Sequence, residues 1–162
     1  MTTQTELRLL TALRGMHALQ KMETAHIKKL AALASEMQFA QDQIIYRSGD
    51  PGEAIYFIEE GEVVIEMTQP DNPNPILMYT VGPGHLFGWS ALFPTRRKQA
   101  RARAVTPTRV IAINAAGLRA AFRSDQSLEN AMIQQVNEVI ADRLAAIRQQ
   151  LANTVQLEAK VK

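Results

Sequence analysis

With 162 residues, 46% hydrophobic and 21% charged, and a formal net charge of +2, the chain has room for one domain with an appendage and for a real buried core. No apolar run approaches the roughly 18 residues a membrane span needs, no signal-peptide pattern is present, and the lack of cysteine excludes disulfides and thiolate metal sites. These features agree with a cytoplasmic setting. His17, His26 and His85 have no metal-ligand spacing, so no metal site is expected.

The small net charge hides a segregation. Positions 42–71 hold eight acids and one base, Arg47, whereas positions 72–124 hold eight bases and no acid. One face or edge of the domain is therefore expected to carry a positive field, suited to nucleic acid or to a small phosphate ligand. The alternative is that the cations are spread around a rim and simply solvated.

Residues 2–36 read as helices. Leu7, Leu10 and Leu13, then Ile27, Leu30, Leu33 and Ala34, recur at helical spacing, with a break near Gly15. From Phe39 the period becomes strand-like. Segments 43–47, 54–58, 63–67 and 76–81 are expected strands, with turns at Ser48-Gly49-Asp50-Pro51-Gly52 and at Glu60-Gly61. The prolines and asparagines of 69–75 read as a loop, too polar and kinked to continue a strand. Further strands are expected at 102–105 and 109–113. Short strands at near-regular spacing with Gly and Pro punctuation are the pattern of a small antiparallel barrel or jelly roll. The expected fold class is α+β, with N-terminal helices over 1–38, an antiparallel β jelly roll or barrel over 39–114, and C-terminal helices over 115–162.

From about Gly117 the sequence is helical again, with a break at 124–127 where Ser127 is a candidate cap for a last helix over about 127–155. Ile133, Ile140 and Ile147 repeat every seven residues, and Asn137, Leu144 and Leu151 do the same four residues later. As d and a positions of a heptad they form a two-helix seam, with Asn137 the polar a residue that fixes register. A homodimer is expected from it; the alternative is that this face packs on the chain's own barrel.

Between barrel and basic strand lies GPGHLFGWSALFPTRRKQARARA (82–104). A Gly-Pro-Gly turn leads through a short apolar segment, 86–93, into Arg96, Arg97, Lys98, Arg101 and Arg103. Backbone N–H groups at the start of a short helix, faced by cations, are one way to hold a phosphate. A strand, a turn and a solvated basic loop is the plainer alternative. No nucleophile–base pair and no paired carboxylates stand out, so neither an enzyme nor a catalytic residue is expected.

Taken together, helices, a barrel carrying GDPGEAIYFIEEGEV (49–63), then GPGHLFGWSAL and a long helix, the chain resembles the cyclic nucleotide-binding domain superfamily over roughly residues 10–152. This superfamily includes catabolite activator-type regulators and the regulatory subunits of cyclic-AMP-dependent kinase. Gly49, Asp50, Gly61 and Gly84 fall where the family's turns require them, and Tyr56-Phe57-Ile58 where a core strand lies. The resemblance implies a ligand of the cyclic nucleotide type, cAMP or cGMP, held by a cassette Phe-Gly-Glu-x-Ala-Leu and a later Arg-[Ser/Thr]-Ala. In that cassette the Glu accepts from the ribose 2′-OH and the Arg pairs with the phosphate. Carried over, the binding set is Phe87, Gly88, Trp89, Ser90, Ala91 and Leu92, with Lys98, Gln99 and Ala100; Arg97 joins the candidates as a neighbouring cation.

Two departures stand inside it: Trp89 replaces the Glu, and Lys98 replaces the Arg. An ammonium counters a phosphate charge but lacks the planar two-donor fork of a guanidinium. On the long helix, Ile147 and Arg148 align with a hydroxyl-bearing pair that reads adenine in catabolite activators, which adds Arg148 to the candidates. The residues present read as an anion site: N–H groups of 88–91 with Lys98, Arg97 or Arg101, and Trp89 either stacked on a base or anchored in the core.

Three functions follow. The first is a sensor module, non-enzymatic, that binds a cyclic nucleotide or other phosphate-bearing ligand in the barrel and signals through the C-terminal helix. The second is a dimeric adaptor, empty of nucleotide, that works on a protein partner. The third is electrostatic nucleic-acid binding through 96–109. About ten residues follow Leu151, whereas family transcription factors continue into a helix-turn-helix, so direct reading of DNA is not expected.

Overall fold

The structure, a computed structural model, describes residues 3–93 and 97–161. Arg96 of the basic run lies outside the described residues. Two short helices, α1 (Gln4–Arg14) and α2 (Thr24–Ala31), come first. The strands follow as β1 (Ala34–Phe39), β2 (Ile44–Tyr46), β3 (Ala54–Glu60), β4 (Val63–Gln69), β5 (Asn72–Val81), β6 (Leu86–Phe87), β7 (Arg101–Ala104) and β8 (Thr108–Asn114). The chain then continues into α3 (Ala115–Ser124) and α4 (Gln126–Val161). The strands make two four-stranded sheets in the orders β1-β8-β3-β6 and β2-β7-β4-β5, every pair antiparallel. This is the jelly roll that strand spacing and punctuation lead one to expect.

Strand alternation explains two cores from one run of apolar residues. In β3, Ala54, Tyr56 and Ile58 point between the sheets, where Val63, Ile65, Phe87 and Val110 meet them. Ile55 and Phe57 point the other way, onto a second core with Leu13, Leu19, Leu30, Leu118, Leu128 and Met132 of the helices. A strand covered on both faces has no polar side to show, which is why it reads as a continuous apolar stretch.

The structure corrects the sequence reading at three places. The helical reading through 36 fails because β1 begins at Ala34, so the expected division after residue 38 falls inside a strand. Only Phe39 of β1 is buried, and an edge strand with one buried side chain shows no alternation. The loop expected at 69–75 is instead the end of β4, a tight turn and the start of β5. Its prolines are tolerated because β5 is an edge strand, with an irregular register between Met67 and Gln69 where a missing N–H breaks no second ladder. Finally, Asp125 caps α4 in place of Ser127: its carboxylate accepts from the Leu128 N–H at 3.0 Å and pairs with Lys29, while the Ser127 hydroxyl lies 3.0 Å from the His26 ring. The last helix is longer than expected, 36 residues without Gly or Pro.

The charge segregation does not survive folding. β7 lies beside β4, so Arg101 and Arg103 both donate to Glu66, at 2.8 and 3.1 Å, and Arg103 reaches Asp42 at 2.9 Å. Arg109 sits 3.8 Å from Glu59 and from Glu60. Three of the cations on the expected positive face, Arg101, Arg103 and Arg109, are thereby paired with acids, which weakens the case for nucleic acid held by charge alone.

Candidate functional site

A cleft of about 290 Å³ opens at the end of the sandwich, beneath α4. Its floor comes from Tyr46 on β2, Ile65 on β4 and Tyr79 on β5. One wall is the turn Gly88 to Ser90 with residues 97–100, and the opposite wall is Ile140, Arg143, Leu144 and Ile147 of α4. Gly88 has φ +80 and sits against the Tyr56 ring, where an added Cβ would lie 3.1 Å away. This left-handed glycine turns the chain from β6 into a 3-10 helix, Trp89–Leu92. Behind that helix, a Cβ on Gly52 would lie 2.5 Å from the Ala91 Cα, so the 49–53 turn packs directly against the helix.

Lys98 is the most unusual group present. It is 5% exposed, donates to the Gly88 carbonyl at 3.1 Å and to the Ser90 hydroxyl at 2.9 Å, and lies 4.4 Å from the centre of the Tyr46 ring. Burial lowers its pKa to about 8. The same burial pushes the Tyr46 hydroxyl well up, and the Tyr79 hydroxyl up as well. Lys98 and Tyr46 also border a second, more polar hollow of about 280 Å³, to which Asp50 and Glu53 contribute. Across the cleft the Arg143 guanidinium lies over the Tyr79 ring, its carbon 4.9 Å from the centroid. Among the described residues the cleft is thus bordered by three rings, Tyr46, Tyr79 and Trp89, and three cations, Arg97, Lys98 and Arg143, with no carboxylate in its lining. Such a surface suits a planar, anionic ligand.

Of the residues singled out in the sequence, Gly88, Trp89, Ser90, Arg97, Lys98, Gln99 and Ala100 come together here. Trp89 is half-buried at the cleft and also touches the helical core, so both roles weighed for it meet in one side chain. Four others lie elsewhere. Phe87 is stacked on Tyr56 inside the sandwich, 4.9 Å between centroids, and Ala91 and Leu92 belong to the helical core. Arg148 is exposed on α4 and does not line the cleft. Arg101, weighed as an anion partner, is held by Glu66.

Sequence reading missed Tyr46, Ile65, Met78, Tyr79 and Arg143, and took Ile140, Leu144 and Ile147 only as seam. For α4 a signal existed: 140, 143, 144 and 147 share one helical face. For Tyr46 and Tyr79 none did, since their strands meet the cassette only through sheet order.

Known proteins place the arrangement. The family profile for the cyclic nucleotide-binding domain matches residues 36–125. The chain is 31% identical over 121 residues to a proposed potassium channel protein of Rhodopseudomonas palustris, covering 75% of this chain and 27% of that one. It is 27% identical over 129 residues to a CRP-like cAMP-activated global transcriptional regulator of Mycobacterium tuberculosis, covering 78% of this chain and 55% of the regulator. The chain therefore spans from about a quarter to about half the length of these relatives. In three dimensions it is similar to the crystal structure of a cyclic nucleotide-binding domain from Methylobacillus flagellatus, with TM-score 0.75 at 17% identity over 92% of this chain and 83% of the other. Sequence match and jelly roll agree, and the chain belongs to the cyclic nucleotide-binding domain family.

Proposed function

We propose that the chain is a sensor module that takes a phosphate-bearing aromatic ligand, of the cyclic nucleotide type, in the cleft and reports it through α4. The observation that carries this reading is that α4 supplies an entire wall, Ile140, Arg143, Leu144 and Ile147. A ligand touching that wall contributes free energy that depends on where the helix lies, and only such a difference shifts a conformational equilibrium. The module is read as a binding device rather than a catalyst. The relative named as cAMP-activated supports cAMP as the first ligand to try.

The test is a melting-temperature screen with cAMP, cGMP and cyclic dinucleotides on protein that has been unfolded and refolded. Ligand at about a hundredfold its Kd adds about 2.7 kcal/mol, which moves the midpoint of a domain this size by roughly 5–11 °C. Flat curves at millimolar ligand overturn the sensor reading. They would favour the second reading, a dimeric adaptor without nucleotide, which Trp89 at the cassette's acidic position supports.

The seam belongs to this proposal. Residues 148–160 of α4 are exposed all round, yet carry Leu151, Val155 and Leu157, each more than half exposed. An isolated helical end of this kind is marginal in water, and pairing with a second copy along Ile133, Asn137, Ile140, Leu144, Ile147 and Leu151 would cover it. Leu151→Asp, which lies away from the cleft, is expected to convert a dimer to a folded monomer in light scattering. A native chain that is already monomeric would sink the seam.

A further inference from the structure

We infer that Arg143, and not Lys98, takes the anionic group of the ligand; the inference rests on the sensor reading of the cleft. An ammonium has three protons. Those of Lys98 face the Gly88 carbonyl, the Ser90 hydroxyl and the Tyr46 ring, so a ligand oxygen reaches Lys98 only by displacing a contact already made. Lys98 is thereby a clamp that ties residues 88–90 to β2. Arg97 is exposed at the rim, bridged through its backbone to Pro51.

Arg143 is in the opposite condition. Its Nε is buried and has no hydrogen-bond partner, and among the described residues its guanidinium makes no ion pair. The guanidinium is laid over the Tyr79 ring at the border of the cleft. A buried donor left unpaired is costly, and a ligand oxygen supplies what is missing. A guanidinium held flat on a ring keeps its edge free for a two-donor grip on phosphate or carboxylate. The ligand class is then an aromatic anion, its charge on the α4 side and its ring system among Tyr79, Trp89 and Tyr46. Because the charged contact is made by the helix that carries the response, binding draws α4 toward the cleft.

Calorimetric titration of the full chain with cAMP and with cGMP tests this. Arg143→Gln is expected to weaken the tighter of the two by about 10- to 100-fold, the worth of a charge-assisted contact. Arg143→Lys, which keeps the charge and loses the fork, is expected to fall between, and Arg148→Gln to leave affinity unchanged. Circular dichroism checks that each variant is folded. The pH profile is a second readout. Burial lowers the Lys98 pKa to about 8, and loss of that charge removes a nearby cation but not the ligand's own contact, so affinity is expected to fall only slightly from pH 7 to 9. Full affinity in Arg143→Gln, or an affinity that falls about tenfold per pH unit above pH 8, overturns the assignment to Arg143 while leaving the sensor reading standing. No binding of either nucleotide by the native chain overturns both.

Discussion

Phe57→Ala is expected to cost about 3–5 kcal/mol, the usual penalty for removing a buried aromatic side chain from a packed core. In a domain of this size that lowers the melting temperature by roughly 6–20 °C. Phe57 is fully buried in the layer between the first sheet and the helices, and its strand is paired on both sides, opposite Ile111 and Leu86. With the strand paired on both sides and other fully buried side chains in the layer it fills, the void collapses poorly and the cost falls at the upper part of the range. The effect reaches the site as well. Leu86 is on β6, which leads through Gly88 into the cleft wall, so the ligand response is expected to weaken together with stability. Thermal and urea unfolding measure it. A loss below about 1.5 kcal/mol would mean that this layer repacks freely and does not hold the cassette in place.

Glu66→Ala is expected to cost about 2 kcal/mol. Glu66 is 4% exposed and is shared by Arg101 and Arg103, so its removal leaves two guanidinium groups side by side with only the exposed Asp42, on Arg103, as counter-charge. Breaking a fully buried pair costs about 3–5 kcal/mol; water still reaches both arginines, which reduces the figure. The pH dependence has a definite sign. Burial pushes the Glu66 carboxyl up, but the hydrogen bonds from Arg103 and Arg101 outweigh it and hold the pKa below the ordinary 4.5. A lowered folded-state pKa contributes stability that is fully present above about pH 4.5 and is lost as pH falls through the folded value. The advantage of the native protein over Glu66→Gln is therefore expected to be constant above pH 5 and to shrink toward pH 3. A gap that stays the same across that range would show that the carboxylate's charge does not stabilise the fold.

How much of this was legible beforehand follows from the range over which each property is set. Local patterns are written in consecutive residues. The apolar runs of β3 and β4, the glycine turns at 49 and 61 with φ of +93 and +99, and the unbroken helical stretch of α4 could each be read from the sequence, and with them the family. Edge strands escaped, because β1 buries one side chain and the prolines of β5 forbid only an interior position. Long-range pairing also escaped. Glu66 is 35 residues from Arg101, and only the β4–β7 register brings this acid to Arg101 and Arg103. The same holds for the site. The cassette residues 88–90 and 97–100 were identifiable as a group, but Tyr46, Tyr79 and Arg143 join them through sheet order and the crossing of α4. Sequence alone determined the architecture, since side-chain period and turn chemistry are local properties. Tertiary structure decided which cations are free to meet a ligand, since that depends on which acids and carbonyls the fold has already brought to them.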